Sequence, residues 1–582
     1  MRTFQLEQWA MPFLTFASTS VSLATSACKS VPDSPKWPTV AEWSGLNNSL
    51  NGALIKSTPP GAVCHLEQPV FNNISCAEVS AQWTNSSFHA ANPFSVDYND
   101  ESCYPDSRAP CSNGTYAAYV VNATSAADVK KGVDFAREHN VRLIVKAKGT
   151  GHDYPGRSSG GYSLSIWTHF LQGFKYHPSF VPQGCDPSKG NQAATIYAGL
   201  QMNEIQKHAA AYHVAIVGGA NPSVGLGFLL GGGHGPISAK FGLAADQVLE
   251  MEVVTADGRV LVVNERQHRD LFWALRGGGG STYAVMISAT VRVYPAPSIT
   301  TYSFSVNTTA QSETFWDVCT YIHSQLPHLS DSGSMGYYFQ FADMSKIMPG
   351  AKAEGVFLGT FLLPDLPVSA AEGLFQPILD YVRNASWPDQ IVAGGFASEY
   401  PDFYTWWSAS SASEGVGTSG RLGSRLLDKA ALLKDPKALK KHLKETSPGD
   451  IPLLGHLIAG RGVQNAKPAG GDDAINPAWR KAYTHVVLPA SWPLLNQTAK
   501  ADATSELTNE RVAALRRLAP DSGAYVNEAD PDEPDWQHAF WGDHYERLFQ
   551  IKQKWDPNGV FYCHPCVGSE LWKMVNGVVC KA

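Results

Sequence analysis

The stretch VRLIVKAKGTGHDYPGRSSGGYSLSIW, residues 141–167, places one histidine in a glycine-rich loop between two apolar segments. Both VRLIVKA and YSLSIW are typical of buried strands. Gly149, Gly151 and Gly156 in the loop allow positive φ and let a ligand approach the backbone closely. Consecutive backbone N–H groups in such a turn can hold an anion such as a pyrophosphate. The sequence therefore predicts a phosphate cradle beside His152.

The segments on either side of this stretch predict a β-α-β start and a second glycine-rich cradle. TYAAYVVNA is typical of a strand, and SAADVKKGVDFAREHN of an amphipathic helix with a serine cap. Residues 218–235 form another glycine-dense segment, which could cover a second face of the same ligand. After it, VLEMEVVTADGRVLVV predicts a hairpin that turns at Asp257-Gly258. Two separated cradles imply a long ligand.

The standard phosphate-binding motifs are absent from the sequence. GVGTSG, residues 415–420, matches the dinucleotide fingerprint but follows a serine-rich loop instead of a strand. No P-loop pattern occurs. We therefore interpret residues 415–420 as a chance match.

The pattern of apolar and polar residues changes along the chain. Together with the length of 582 residues, these changes predict five parts. Beyond Pro295 and Pro297, alternating strands such as TYSFSV and GYYFQF indicate a separate domain with an antiparallel sheet and helices. The predicted parts are a signal peptide (1–27), an N-terminal extension (28–113), a first domain (114–298), a second α+β domain (299–510) and a C-terminal segment that completes the first domain (511–582).

Composition favours a secreted protein that acts on small molecules. The formal net charge is -7 and no long basic run occurs, which argues against nucleic acid as a partner. No apolar run is long enough to span a bilayer. The first residues carry one arginine, a modest apolar stretch and a small-residue ending at Ala27, typical of a secretory signal, although a disordered extension is the alternative. Eight N-x-S/T sequons support secretion: Asn47, Asn73, Asn85, Asn113, Asn122, Asn307, Asn384 and Asn496.

Ten cysteines, concentrated at the two ends, predict structural disulfides. Cys64 with Cys76 and Cys103 with Cys111 are the economical local pairings, although sequence does not establish either. YCHPC, which contains Cys563 and Cys566, superficially resembles a zinc or redox motif. It lacks a second pair at zinc spacing and a thioredoxin-like context. We predict no metal site.

Several motifs together resemble one known family. They are GTGHDYPGRSSG, GGGHGPISAKFGLAADQVLEMEVVTADGRV, DLFWALRGGGGSTYAVMI, AYVNEAD and WGDHYERLFQIKQKWDPNGVFYCHPCVGSE. Their order and spacing resemble the FAD-linked oxidases of the vanillyl-alcohol oxidase type, and within them the berberine-bridge-enzyme-like branch. The N-terminal region is similar to secreted fungal isoamyl-alcohol-oxidase-like members. The resemblance implies an α+β fold with a PCMH-type FAD-binding domain and an inserted antiparallel-sheet substrate domain.

The resemblance also implies a cofactor and its attachment. His152 matches the histidine that bonds covalently to the flavin ring, and the alternative is a loop histidine that contacts a phosphate or solvent. Some members add a cysteine tether where this chain has Asn221, so a single covalent link is implied; Asn221 could lie at the flavin edge or cap its own loop. The predicted FAD-binding residues are Lys148, Gly149, Thr150, Gly151, His152, Asp153, Gly156, Arg157, Ser158, Gly219, Asn221, Gly225, Gly231, Gly232, Gly233, Gly235 and Tyr545. At Tyr545 relatives usually have a preceding asparagine, where this chain has His544.

The catalytic and substrate residues follow from the same resemblance. Tyr525 matches a tyrosine that often serves as the base, with Asn527 two residues on and on the same face of a predicted strand. The alternative is a packed tyrosine that bonds a backbone carbonyl. Tyr338, Tyr404, Arg425 and His485 are candidate substrate-pocket residues in the second domain.

The function implied is oxidation of an alcohol, or of a C–H next to a heteroatom, on a small molecule. O2 would reoxidise the flavin to give hydrogen peroxide, and we expect a monomer. One alternative is an oxidative or redox-neutral cyclase of secondary metabolism on the same fold. A second is a flavin-carrying protein without turnover.

Overall fold

A computed structural model describes residues 28–147, 153–411, 415–449 and 451–582 of the chain. The predicted signal peptide, residues 1–27, lies outside this described part. So do five predicted cofactor residues: Lys148, Gly149, Thr150, Gly151 and His152. Their assignments therefore remain predictions.

The first domain contains two sheets. In the four-stranded sheet, two parallel pairings and one antiparallel pairing give the order Leu54–Lys56, Tyr119–Asn122, Ser163–Trp167, Arg142–Lys146. The five-stranded sheet is antiparallel, in the order Phe174–Phe180, Asn191–Tyr197, Ala284–Arg292, Val248–Thr255, Val260–Asn264. A short pair, Val214–Ala215 with Tyr294–Pro295, extends this part.

The first domain and the N-terminal extension also contain helices. They are Val40–Ser49, Asn73–Gln82, Ser86–Ala91, Ala126–Glu138, Met202–Ala210, Ser238–Phe241, Arg269–Ala274, Trp536–Trp541 and Tyr545–Trp555. The last two come from the C-terminal segment, and Phe540, Trp541 and Leu548 are buried in the core of the five-stranded sheet. The domain is therefore built from two separated parts of the chain.

The second domain is one seven-stranded antiparallel sheet covered by helices on one side. Its strand order is Val392–Tyr400, Ile299–Thr309, Glu354–Pro364, Met335–Phe341, Leu453–Leu457, Ala482–Ser491, Gly420–Asp428. Its helices are Glu313–Asp331, Met344–Ile347, Val368–Asn384, Phe403–Ser410, Lys429–Leu433, Pro436–Thr446, Arg461–Gln464, Gln497–Glu506 and Val512–Leu518. Val512 and Leu515 pack in this core, so the interval 511–582 contributes to both domains. The predicted α+β fold is confirmed.

Local sequence signals explain the elements around the glycine-rich loop. Ser125 caps the helix Ala126–Glu138, and its hydroxyl accepts the Asp128 N–H. Gly258 turns the predicted hairpin with a φ of 79°. The loop after Arg142–Lys146 leads into the strand Ser163–Trp167, as predicted.

The predicted strand at AYVNEAD is wrong. Tyr525 to Glu528 form a turn, in which the Glu528 N–H donates to the Tyr525 carbonyl over 2.9 Å. The turn follows from the local hydrogen bonding, and it still brings the side chains of Tyr525 and Asn527 together.

Disulfides hold the N-terminal extension and the chain ends. The described residues contain the bonds Cys64–Cys76, Cys103–Cys111, Cys563–Cys566 and Cys28–Cys580. The first two confirm the economical pairings, whereas the long-range bond was not predicted. Cys580 lies in the second strand of the hairpin Trp572–Val575 and Val578–Lys581, and Cys28 pairs with it through an antiparallel β-bridge. In the described part of the chain, none of the helices has the length and apolarity needed to cross a membrane.

Candidate active site

A cavity of about 810 Å³ lies between the two domains. One wall belongs to the first domain and includes Asp153, Arg157, Gly219 and Asn221. The opposite wall is the uncovered face of the seven-stranded sheet. Alternate residues of its strands line the cavity, among them Thr301, Ser303, Tyr337, Phe339, Thr360, Leu362, Phe396 and Ser398. Its size is within the range of cofactor and ligand sites.

Tyr525 is fixed at one end of this cavity by two hydrogen bonds. Its hydroxyl oxygen accepts the Gly233 N–H over 3.2 Å and the Asn527 side-chain amide over 2.6 Å. Asn527 is itself held, because its Oδ1 accepts from Arg157 over 2.6 Å and its Nδ2 also donates to the Phe228 carbonyl. A hydroxyl has two acceptor positions and one hydrogen. Both acceptor positions of Tyr525 are used, so its hydrogen is what it can offer to another group.

Electrostatics agree with a neutral Tyr525. Burial, helped by the nearby Glu528 carboxylate, raises the pKa of Tyr525 well above its ordinary value. A neutral phenol that already accepts two hydrogen bonds is a donor and not a base. The bonding therefore favours a hydrogen-bond donor over the proton acceptor that the sequence suggested.

Glycines allow this packing around Asn527. A Cβ at Gly231 would collide with the Asn527 amide, and a Cβ at Gly235 would collide with the Gly218 carbonyl. These two glycines are required for close approach within the protein, and neither borders the cavity. Gly232 and Gly233 have φ values of 126° and 77°, which favour glycine.

Three histidines surround the carboxylate of Glu528 beside Tyr525. Nε2 of His234 lies 3.1 Å from Oε1 of Glu528. Nδ1 of His485 and Nδ1 of His456 lie 3.6 Å and 4.0 Å from Oε2. His234, His456 and Glu528 border the cavity, whereas His485 is fully buried behind them.

Burial and charge set the protonation of this cluster. Burial lowers the pKa of His456 to about 4, and it also holds the pKa of His485 well below its ordinary value. Burial works against ionisation of Glu528, yet the histidines around it hold the pKa of its carboxyl well below the usual range. The cluster is an anionic carboxylate among imidazoles.

Comparison with known proteins decides the family. Residues 117–264 match the family model described as "FAD binding domain", and residues 524–568 match "Berberine and berberine like". An uncharacterized FAD-linked oxidoreductase of Arthroderma benhamiae is 36% identical over 570 residues, which cover 94% of each chain. The bifunctional decalin synthase calF of Penicillium decumbens is 31% identical over 572 residues, again 94% of each chain. The crystal structure of the VAO-type flavoprotein MtVAO713 from Myceliophthora thermophila C1 is 29% identical with a TM-score of 0.89, covering 96% of this chain and 100% of that one.

The chain belongs to the FAD-linked oxidoreductases of the vanillyl-alcohol oxidase and berberine-bridge type. The family and fold predicted from its motifs are confirmed. Tyr525 and Glu528 lie in the part that matches the berberine-like model, and His234 lies in the part that matches the FAD-binding model.

The first-domain wall of this flavoprotein fits FAD. Arg157 Nη1, Thr168 Oγ1 and Asn221 Nδ2 are buried along the cavity and have no hydrogen-bond partner in the described part of the chain, as donors awaiting a polar ligand would be. Gly227 also borders the cavity, and no atom lies within 4 Å of the place where a Cβ would stand. Hydrogen-bond donors without partners, next to a glycine whose backbone leaves room for close approach, suit a flat ligand with many hydrogen-bond acceptors.

The structure places the predicted FAD residues in three groups. The cavity wall of the flavoprotein contains Asp153, Arg157, Ser158, Gly219, Asn221 and Gly225. Gly156 and the four glycines from Gly231 to Gly235 lie outside the lining. Asn221 does cap its own loop, because its Oδ1 accepts from the N–H and hydroxyl of Ser223, and its Nδ2 still faces the cavity. Tyr545 lies away from the cavity, where its hydroxyl donates to Glu570 over 2.5 Å.

The structure does not bring three of the four predicted substrate residues to the cavity. Tyr338 is on the covered face of its strand, 0% exposed, and its hydroxyl bonds Thr484; its neighbours Tyr337 and Phe339 face the cavity instead. Arg425 is buried and donates to the Ala519 carbonyl. Tyr404 packs against the first-domain core outside the cavity lining. His485 alone joins the site, as part of the Glu528 cluster.

Sequence reasoning missed His234, His456 and Glu528. His234 lies in the motif GGGHG and Glu528 lies in AYVNEAD. A titratable residue inside each motif is a signal by which a functional role could be predicted. His456 carried no such signal, because only strand pairing brings it beside His485.

Proposed function

We propose that the chain is a secreted FAD-dependent oxidase that removes hydride from the hydroxyl-bearing carbon, or a C–H next to a heteroatom, of a small organic substrate. O2 is the final acceptor and hydrogen peroxide the second product. The observation that carries this proposal is the shared cavity, which joins a wall suited to FAD to an uncovered sheet face and to the Tyr525 end. When bound, FAD supplies the hydride acceptor and the reaction with O2.

The sheet face supports a substrate with an apolar body and a few polar groups. Phe339, Leu362 and Phe396 offer apolar surface, while Ser303 and neighbouring hydroxyl side chains offer hydrogen bonds. The two kinds of residue are mixed across the wall. A partly apolar alcohol fits this wall better than a highly charged compound.

The Tyr525 end supplies the groups that act on an alcohol O–H bond. Loss of hydride from an alcohol carbon also requires loss of the hydroxyl proton. Tyr525 offers a hydrogen-bond donor whose position Asn527 and Gly233 fix. Beside it lies the anionic Glu528 with its histidines. We assign Tyr525 to hold the substrate oxygen as negative charge develops on it, while the hydroxyl proton passes to cavity water.

We further propose a single covalent flavin link through His152 and a monomeric protein. Asp153, which directly follows His152 in the chain, borders the cavity, and Asn221 stands where a second, cysteine tether would be.

Secretion is supported by the cysteines and sequons. Eight cysteines of the described chain are disulfide-bonded, which is typical of oxidising compartments. Cys185 and Cys319 are free. Five sequon asparagines are exposed: Asn73, Asn85, Asn113, Asn384 and Asn496.

A cyclase is the second candidate function. The observation that favours it is the similarity over 94% of the chain to a protein named as a bifunctional decalin synthase. A redox-neutral cyclase forms product without peroxide, whereas the oxidase forms one peroxide per product.

The experiment that tests the proposal is a substrate screen of the FAD-loaded protein for peroxide release. The panel contains primary alcohols, sugars, aromatic alcohols and alkaloid-like amines, with product and peroxide both quantified. Peroxide in equal amount to an oxidised product without a new ring supports the oxidase. A ring-closed product supports the cyclase, which is oxidative if peroxide accompanies the product and redox-neutral if it does not.

A further inference from the structure

The four side chains around Glu528 are arranged as a metal-binding site would be. The ring centres of His234, His456 and His485 lie 5.3, 5.4 and 5.5 Å apart, as a nearly equilateral triangle. One ligand atom from each histidine and one from Glu528 all lie within 4.8 Å of one another. The residues come from four separate segments of the chain, so the tertiary fold creates this convergence.

Hydrogen bonding inside the protein accounts for only one contact of the cluster, between His234 and Glu528 over 3.1 Å. The 3.6 Å and 4.0 Å separations of His485 and His456 from Glu528 Oε2 are too long for hydrogen bonds. Among the residues that the structure describes, both nitrogens of His485, Nδ1 of His456 and Oε2 of Glu528 are buried without a partner. His485 is 0% exposed, so bulk water does not reach its ring nitrogens. Buried polar atoms of this kind call for a bound water or ion.

The distances between the three imidazole ring centres match those expected around a zinc ion. With a Zn–N bond of about 2.0–2.1 Å, each ring centre stands about 3.2 Å from the ion, and tetrahedral angles then separate the ring centres by about 5.2 Å. The observed 5.3–5.5 Å is close to this value. Small side-chain shifts would bring all three imidazoles and the carboxylate into contact with one ion.

We propose that His234, His456, His485 and Glu528 bind one divalent transition-metal cation. Three imidazoles and one carboxylate match the ligand preferences of zinc and its neighbours among the transition metals.

The site faces the substrate space on one side. His234, His456 and Glu528 border the cavity, and His485 closes the site from behind. An ion held by these residues would therefore lie at the cavity wall, where a substrate oxygen could bind it as a fifth ligand. This role rests on the proposed function: the cation's charge stabilises the alkoxide of a bound alcohol, and the hydroxyl proton passes to cavity water.

The first test is the metal content of the FAD-loaded enzyme, purified without a metal-affinity step. We expect about one equivalent of transition metal per chain, removed by dipicolinate and restored by Zn²⁺. Reloading with Co²⁺ should give absorption bands at longer wavelength than those of the flavin. No metal in the isolated enzyme and no cobalt bands in the presence of excess Co²⁺ would overturn the site. The cluster would then be a metal-free imidazole–carboxylate network.

Substitutions of the proposed ligands test whether the ion binds at this cluster. His456→Gln and His485→Gln should each lower metal content at least tenfold, while the flavin-to-protein ratio and thermal melt report folding. His323→Gln is the matched control, because His323 is also buried with an unpaired Nε2 but lies in the core of the second domain. Full metal content in both cluster variants would contradict the assignment. Metal content is measured without turnover, so an enzyme that binds metal but oxidises no alcohol would contradict only the proposed function.

Discussion

Asn527 donates its side-chain amide hydrogen to the hydroxyl oxygen of Tyr525 over 2.6 Å, while Arg157 holds the other end of that amide. With the Gly233 N–H as second donor, Tyr525 presents its own hydrogen outward. The three-residue chain from Arg157 to Tyr525 thus converts the motif Y-x-N into an oriented hydrogen-bond donor.

Tyr525→Phe should slow anaerobic flavin reduction by a substrate roughly 10²- to 10³-fold, the usual cost of removing one donor to a developing oxyanion. Reduction followed at the flavin absorbance band isolates this step from the reaction with O2. Tyr338→Phe is the control, since it removes a buried hydroxyl that bonds Thr484 away from the cavity, and it should reduce at nearly the wild-type rate. A Tyr525→Phe enzyme that keeps its FAD and the wild-type rate would show that Tyr525 is only structural.

His152→Ala should abolish the covalent flavin link. Acid-denatured wild-type protein is expected to stay yellow and to fluoresce on a denaturing gel, whereas the variant should release its flavin. Asn221→Ala is a useful comparison, because it removes the residue that stands at the second tether position. Covalent flavin in the His152→Ala protein would rule out this histidine as the tether.

The sequence predicted the first domain well because its signals are local. The serine cap at Ser125 and the turn glycine at Gly258 specify their elements without reference to distant residues. The substrate side was predicted poorly because it depends on which face of a strand is covered. Tyr337 and Tyr338 are adjacent and chemically alike, and only the packing of Glu313–Asp331 on the sheet decides that Tyr338 is core. His456 reaches Glu528 through long-range strand pairing, which a single sequence does not specify.

Stability should fall as the pH drops from about 6.5 towards 4, in part because of His323. Burial lowers the pKa of His323 from 6.5 to about 4, so below pH 6.5 the unfolded chain takes up a proton that the folded chain does not. A difference of this size corresponds to about 3 kcal/mol when fully expressed. Thermal melts of wild type and His323→Gln between pH 7 and 4.5 measure it. The variant should lose less stability over this range, and parallel pH profiles would contradict the account.

Protein from its native secretory route should carry N-glycans and two titratable thiols. Cys185 and Cys319 are the free cysteines of the described chain, and the other eight form disulfides. Thiol titration under denaturing, non-reducing conditions should give two, rising to ten after reduction. Endoglycosidase should lower the mass, chiefly through the five exposed sequons. Ten thiols before reduction and no mass change would exclude the secretory pathway.

The most direct test of the account is anaerobic mixing of the FAD-loaded enzyme with substrates from the alcohol panel, followed by admission of O2. We expect that at least one alcohol bleaches the flavin and that oxygen then restores the colour with one hydrogen peroxide per flavin. A protein whose flavin is bleached by dithionite but by no organic substrate would contradict the oxidase and indicate a flavin carrier without turnover.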